Sequence, residues 1–166
     1  MSLSYIIGNA RKLGMKVSQK FLNMIKYFGV IGFISAAVHV LISLMLLSEE
    51  KFPYLYKDNL NFNFYGEMTI LFGVASLGLF LMPAVTSIPA VRNAMVEKSW
   101  KNYQQIGYIG LFSVLFHVFF VDFVNISALS DWAYFLFPIS YVVWFFIIAA
   151  LGLKLSSLAM GWFKKN

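Results

Sequence analysis

Four long apolar stretches separated by short polar connections constrain this chain more than any other feature. We predict membrane-spanning helices at 27–47, 68–85, 106–121 and 132–153. About 20 helical residues at roughly 1.5 Å each cross a hydrocarbon core of roughly 30 Å. Helices are required because an open sheet would leave backbone amides unpaired in lipid, and four strands are too few to close a barrel. The predicted fold class is therefore an all-α membrane protein, a four-transmembrane-helix bundle with an N-terminal amphipathic interfacial helix.

The composition argues against a water-soluble fold. Hydrophobic residues make up 60% of the 166 residues and charged residues 12%, whereas soluble domains average about 45–50% and about 25%. The formal net charge is +6, but the basic residues lie in short segments between the spans, so we expect a lipid bilayer and no nucleic acid as partner. The absence of cysteine excludes disulfides, zinc-thiolate sites and iron–sulfur clusters.

The positions of lysine and arginine predict the orientation. All but two of the 13 lie in residues 1–26, in the second connection or in residues 154–166, and the exceptions are Lys51 and Lys57. The positive-inside rule then places both termini in the cytoplasm of a multi-pass protein of the plasma membrane or the bacterial inner membrane. We expect an amphipathic cytoplasmic or interfacial segment at 1–26, a four-helix transmembrane domain at 27–153 and a basic cytoplasmic tail at 154–166.

An internal repeat contains both histidines of the chain. Residues 29–40 read GVIGFISAAVHV and residues 107–118 read GYIGLFSVLFHV, which places His39 and His117 at matching positions. Two connections separate these spans, so they run in the same direction and both imidazoles should lie about 18–20 Å from the inner edge of the membrane. An ionisable side chain at this depth is costly and usually functional.

Small residues accompany each histidine on one helix face and predict a slot for a flat macrocycle. We therefore predict one haem with His39 and His117 as axial ligands of the iron. The predicted haem pocket consists of Gly29, Gly32, Ser35, Gly107, Gly110 and Ser113. Each serine is expected to accept the proton of the non-ligating ring nitrogen, or to share it with the backbone carbonyl at its own position. The alternatives are that the glycines serve helix packing and that the serines bond to their own helix. Zinc is disfavoured because it would need further ligands at that level.

Beyond the repeat, the stretch VTSIPAV at 85–91 is followed by a basic amphipathic connection and then by a glycine ten residues before a histidine. The first span has the same glycine-to-histidine spacing. In these features the chain resembles the six-transmembrane epithelial antigen of the prostate (STEAP) metalloreductases, within the ferric reductase-like transmembrane proteins, as a four-span version. The resemblance covers roughly residues 24–155.

The resemblance implies one b-type haem held by His39 and His117 within residues 27–153. It also implies that electrons pass from a cytosolic nicotinamide cofactor through FAD to this haem, and then to ferric or cupric complexes outside. Family members are usually trimers. The flavin candidates that it suggests are Arg92, Lys98, Trp100, Lys101 and Gln104. No G-x-G-x-x-G is present, so we expect a separate cytosolic flavin or nicotinamide reductase as donor.

Three functions follow as hypotheses. The first is a single-haem cytochrome that carries electrons outward, a ferric or cupric reductase that needs a separate donor protein. Its connection at 49–66 would be the acceptor mouth. Lys51 and Lys57 would either attract anionic chelates there or be ordinary solvated surface lysines. The second is a cytochrome b subunit of a quinone-linked redox complex. The third is a haem-free transporter or scaffold with the histidines in a hydrogen-bond network.

Overall fold

The computed structural model describes residues 2–57, 61–122 and 139–163, and within these ranges the chain forms helices and no β-strand. The helices are α1 (Ser2–Lys12), α2 (Gln19–Leu46), α3 (Phe64–Val85), α4 (Pro89–Ala94), α5 (Glu97–Asp122) and α6 (Ile139–Phe163), with a short 3₁₀ helix at Pro53–Leu55. Helices α2, α3, α5 and α6 are each long and apolar enough to cross a membrane. The predicted all-α bundle with four spans is confirmed.

The helices extend beyond the apolar stretches that predicted them. Helix α3 begins at Phe64 rather than at residue 68, because the Asn63 side chain accepts a hydrogen bond from the Gly66 N–H at 3.0 Å and caps the helix. Helix α5 begins at Glu97 rather than at residue 106, and α6 continues to Phe163 through residues predicted as tail. Residues 132–138 of the predicted fourth span lie outside the described residues.

The N-terminal region contains two elements instead of one amphipathic segment over 1–26. Helix α1 ends at a left-handed Gly14 with φ 84°, and the Met15 N–H donates to the Ala10 carbonyl at 3.1 Å. This 6→1 bond is the Schellman cap, which favours glycine at the left-handed position. Ser18 then caps α2, so residues 19–26 form the first turns of a membrane helix.

The core lies between α3, α5 and α6. Phe80, Leu111, Ile147 and Ala150 are its buried members, and α3 and α5 make the most extensive contact in the bundle. Helix α1 packs against α2 and α6. We call the end of the bundle where α1 meets the start of α5 and the second half of α6 the α1 end.

Helix α2 is packed much less closely than the others. None of its apolar window Tyr27–Leu46 is buried, although Phe33 rests against the core. Because α2 is apolar on all sides, lipid can cover the faces that protein leaves exposed.

The connection between α2 and α3 is folded back onto the start of α3. The Asn63 side-chain amide donates to the Tyr54 carbonyl at 2.7 Å, and Leu55 is buried. Lys51 and Lys57, the two lysines of the predicted acceptor mouth, are exposed on this connection.

Candidate functional site

His117 lies on α5 and is held by α3. Its Nδ1 is 2.8 Å from the Thr69 carbonyl oxygen. A carbonyl can only accept, so Nδ1 carries the hydrogen and Nε2 keeps its lone pair. A Cβ placed on Gly73 would lie 3.0 Å from the same Nδ1, so the imidazole occupies space that a side chain at residue 73 would need. His117 therefore presents one nitrogen that can ligate a metal.

His39 lies on α2 with an exposed side chain. Its Nε2 is 3.4 Å from the Ser43 hydroxyl, one turn after the histidine. The prediction that Ser35, one turn before it, is the partner was wrong, and Ser35 is exposed on the helix surface.

The serine predicted to bond to His117 has a different partner. The buried Ser113 hydroxyl donates to the Phe72 carbonyl on α3 at 3.0 Å. The prediction for Ser113 was therefore wrong, since the acceptor for His117 is a backbone carbonyl on a neighbouring helix. The physical reason is that the small residues of α5 bring α3 close enough for its carbonyls to reach both side chains.

The two glycines of the α5 repeat are packing positions. A Cβ on Gly110 would lie 2.9 Å from the Phe80 ring, and a Cβ on Gly107 would overlap the Tyr5 hydroxyl of α1. The predicted haem slot beside Gly107 and Gly110 is corrected accordingly, because protein side chains already fill it. In the α2 copy, Gly29 and Gly32 are partly exposed, and the nearest atom to a Cβ on Gly29 is the Ser4 hydroxyl at 4.0 Å.

The donor set fits a haem better than a bare metal ion. Among the described residues no group of three or more His, Cys, Asp or Glu side chains could hold a metal. Two imidazoles suffice for haem iron because the porphyrin supplies the other four nitrogens, whereas zinc usually takes three or four protein ligands. His117 is already in the required tautomer, and the 3.4 Å contact of His39 with Ser43 is long for a hydrogen bond and easily given up.

A second candidate site is a cavity of 890 Å³ at the α1 end. Its lining includes Lys12, Lys101 and Lys154 from three different helices and no carboxylate side chain. Tyr27 and Trp100 add aromatic surface. A cavity lined by three lysines, of which Lys101 is paired with Glu97, and by apolar walls suits an aromatic ligand that carries negative charge.

Helix α1 is fixed beside this cavity by polar contacts. The Tyr5 hydroxyl donates to the Gln104 carbonyl at 3.0 Å, and the buried Asn9 amide donates to the Tyr108 hydroxyl at 2.9 Å. Burial, with Tyr108 beside it, raises the pKa of the Tyr5 phenol, which therefore stays a neutral donor at physiological pH. The Lys154 ammonium lies 4.8 Å from the centre of the Tyr108 ring. The first helix of the chain is thus part of the cavity wall.

The structure brings three of the five flavin candidates together. Trp100, Lys101 and Gln104 line the cavity. Arg92 lies outside the lining, with its guanidinium 4.4 Å from the centre of the Trp100 ring, and Lys98 is exposed. The Trp100 indole N–H is buried and has no hydrogen-bond partner among the described residues.

Two of these candidates already have structural contacts. The Gln104 amide nitrogen donates to the Pro83 carbonyl at 3.1 Å and to the Thr86 hydroxyl at 3.0 Å. It therefore connects α5 to the end of α3, where the TSIP stretch at 86–89 begins. Lys101 pairs with Glu97 at 2.7 Å on the helix surface.

Sequence reasoning missed several residues that build these two sites. Thr69 and Gly73 gave no signal, because nothing in the sequence says which face of α3 meets α5. Lys154 did give one, since it is the single charged residue within the apolar stretch Tyr141–Trp162. The missed residues that the structure places at the sites are Tyr5, Asn9, Lys12, Ser43, Thr69, Gly73, Tyr108 and Lys154.

Comparison with known proteins identifies relatives. Metalloreductase STEAP2 of Mus musculus and that of Homo sapiens are each 35% identical to the chain over 111 residues, which is 56% of this chain and 22% of each relative. The match thus spans less than a quarter of the length of these relatives. No solved structure shows significant similarity.

The family described as ferric reductase like transmembrane component matches residues 1–115, a region that contains His39 and ends just before His117. This match covers more than half of the chain. With the four apolar helices, it makes the chain an integral membrane protein. It also confirms the resemblance inferred from residues 85–91 and from the glycine-to-histidine spacing. The chain belongs to the family of ferric reductase like transmembrane components.

Proposed function

We propose that this protein is a transmembrane metalloreductase that carries electrons outward through one b-type haem with His39 and His117 as its axial ligands. The observation that carries the proposal is the His117 imidazole, whose Nδ1 donates to the Thr69 carbonyl and whose Nε2 is left with a free lone pair. A second histidine occupies the matching repeat position, and the matched relatives are named metalloreductases.

The roles of the protein groups follow from their contacts. Thr69 holds the His117 ring in the tautomer that ligates through Nε2. His39, on the less closely packed α2, would supply the second nitrogen. A haem held by these two imidazoles would supply one-electron redox chemistry. One electron passed outward would lower the charge of a ferric or cupric ion by one unit.

The direction of transfer depends on an orientation with the α1 end in the cytoplasm. The three lysines of the cavity lie at this end, and the positive-inside rule favours a cytoplasmic position for basic residues. The connection between α2 and α3 then faces outward, where Lys51 and Lys57 would attract anionic metal chelates. We expect the electron acceptor at this connection.

The cavity at the α1 end is the site that we propose for a flavin, most simply FAD. The lysines Lys12, Lys101 and Lys154 suit its phosphates, and the unpartnered indole N–H of Trp100 suits a ring carbonyl or nitrogen. A flavin bound there would supply the conversion of two-electron to one-electron transfer. A separate nicotinamide-dependent reductase would supply the electrons. Family resemblance favours a homotrimer.

The haem proposal is tested on purified protein by its dithionite-reduced absorption spectrum. We expect the bands of low-spin b-type haem, lost in both His39→Ala and His117→Ala and retained in the neighbouring controls Val40→Ala and Val118→Ala. Colourless protein after expression with ample haem would refute the proposal and leave the haem-free bundle. Loss in one histidine variant alone would refute paired ligation.

The acceptor is tested by mixing anaerobically reduced protein with a ferric chelate or with a short-chain quinone and following haem reoxidation. Rapid reoxidation by the chelate is expected. Reoxidation by the quinone alone would instead identify a subunit of a quinone-linked complex.

The flavin proposal is tested by titrating FAD into the purified protein and following quenching of flavin fluorescence. Trp100→Leu should weaken binding at least tenfold, because it removes both the stacking surface and the unpartnered donor. Trp162→Leu is the matched control, since Trp162 does not line the cavity. Equal binding by both variants and the unchanged protein would exclude this cavity as the flavin site.

A further inference from the structure

We infer that Gly73 and the Thr69 carbonyl, both on α3, form a groove that positions His117 and sets the donor strength of its ligating nitrogen. This groove makes α3 a positioning element for an iron ligand that lies on α5. The inference rests on the proposed haem function for its consequence, whereas the groove itself can be tested without haem.

The groove is formed by the absence of one side chain. A Cβ on residue 73 would lie 3.0 Å from Nδ1 and 3.1 Å from Cε1 of the His117 ring. Both distances are shorter than ordinary van der Waals contact. Since residue 73 is one turn after Thr69, glycine at this position lets the ring approach α3 closely enough for Nδ1 to reach the Thr69 carbonyl at 2.8 Å.

The contact is sheltered. Thr69 is buried with 6% of its surface exposed. The Ser113 hydroxyl, one turn before His117, donates to the Phe72 carbonyl, so two hydrogen bonds join α5 to α3 within one helical turn. A hydrogen bond in such surroundings is stronger than one exposed to water. It holds the ring orientation and raises the basicity of Nε2, which favours ferric over ferrous iron.

The other histidine makes no hydrogen bond to a backbone carbonyl of the described residues. His39 is exposed, and the polar contact that involves its ring is the one with Ser43 at 3.4 Å, from Nε2. The two axial ligands are therefore unequal. His117 is the rigid and strongly donating ligand, and His39 is the adaptable one.

The main test is Gly73→Ala, with Gly78→Ala as the matched control because nothing lies within 4 Å of a Cβ on Gly78. Both variants add one methyl group to the same helix. We expect Gly73→Ala to lower haem affinity about tenfold to a hundredfold, the usual cost of losing a partner of a metal ligand. Its midpoint potential should rise, because the affinity for ferric haem falls more than the affinity for ferrous haem. Each factor of ten between these two losses corresponds to about 59 mV. Equal affinity and potential in both variants would overturn the inference.

Thr69→Val separates the carbonyl from the hydroxyl of the same residue. The Thr69 hydroxyl is buried without a partner among the described residues, and valine keeps both the shape and the backbone carbonyl. We expect haem affinity and potential to stay at the level of the unchanged protein. A loss equal to that of Gly73→Ala would show that the hydroxyl is the positioning group and would overturn the role of the carbonyl.

NMR of the His117 ring nitrogens tests the groove even if Gly73→Ala fails to fold. The His39→Ala variant, labelled with ¹⁵N-histidine and purified free of haem, retains a single imidazole whose ring nitrogens can be assigned by NMR. We expect Nδ1 to be protonated and Nε2 to be unprotonated at neutral pH. The opposite tautomer, or rapid exchange between both, would overturn the inference. Colourless unchanged protein would refute the haem proposal and leave this measurement decisive for the groove.

Discussion

The two copies of the repeat have the same residue pattern but different surroundings. In the α5 copy, Gly107, Gly110 and Ser113 are buried against α1 and α3. In the α2 copy, Gly29 is partly exposed and Ser35 is exposed. A small-residue face thus marks where close contact is possible, while the partner that approaches it depends on the rest of the fold.

The difference extends to the histidines at the end of each copy. His117 reaches a carbonyl of α3 because the small residues before it bring the two helices together. Within the described residues, His39 bonds to no carbonyl of another helix, and its Nε2 lies 3.4 Å from the Ser43 hydroxyl on its own helix. An internal repeat can therefore place two ligands at matching positions and still give them unequal supports.

Tyr108→Val, which introduces the residue found at the matching position of α2, Val30, should have the largest effect on stability. The change removes the ring whose centroid lies 4.5 Å from that of Tyr5, and it removes the hydroxyl that pairs with the buried Asn9. We expect a loss of roughly 2–5 kcal/mol in the free energy of unfolding, the range for truncating a large packed side chain. Titration with SDS would measure it, with the more exposed Tyr103→Val as control. Similar losses in both variants would contradict the difference between the copies.

Gly107→Ala should have the next largest effect, a loss of about 1–3 kcal/mol in the free energy of unfolding, as is typical of overpacking. A Cβ at this position overlaps the Tyr5 hydroxyl and lies 3.3 Å from the Pro83 ring, whereas a Cβ at Gly29 has its nearest neighbour at 4.0 Å. Gly29→Ala should therefore be close to neutral. Limited proteolysis after α1 would report its release in the first variant, and equal protection in both would argue against the docked position of α1.

Ser113→Ala should lower the free energy of unfolding by about 0.6 kcal/mol, the average for a side-chain hydrogen bond between membrane helices. It removes the 3.0 Å bond to the Phe72 carbonyl. Ser35→Ala, at the matching exposed position, should change nothing measurable. A larger loss at Ser35 than at Ser113 in the same SDS titration would reverse the assignment of the packed copy.

The smallest effect is expected where the copies agree. Ile31 and Ile109 occupy matching positions and are 59% and 60% exposed. Alanine at either position should shift the free energy of unfolding by less than about 0.5 kcal/mol, and by the same amount in both helices. Unequal effects would mean that one of these faces contacts protein rather than lipid.

The sequence predicted the class of fold and the number of spans because apolar length alone determines which segments can cross a bilayer. It also predicted which segments are related, since the repeat contains His39, His117 and the glycines at matching offsets. The family followed from the TSIP stretch and from that spacing, and the comparisons confirm it.

The partners of the site residues could not be predicted in the same way. Helical periodicity places Ser113 and His117 on one face, but it does not say that α3 covers this face. The hydroxyl of Ser113 and the imidazole of His117 each found a backbone carbonyl of α3, and carbonyls are present at every residue, so they leave no trace in a sequence. The role of Gly73 depends on the same unseen contact.

The docking of α1 has a consequence for how the protein is made. Its hydrogen bonds join Tyr5 to Gln104 and Asn9 to Tyr108 across 99 positions of the chain, and Lys154 lies on the same ring of Tyr108. During synthesis these first residues leave the ribosome long before their partners do. The cavity therefore forms late in biogenesis, once α6 has been inserted, and a nascent chain interrupted earlier would expose Asn9 at the membrane surface without its partner.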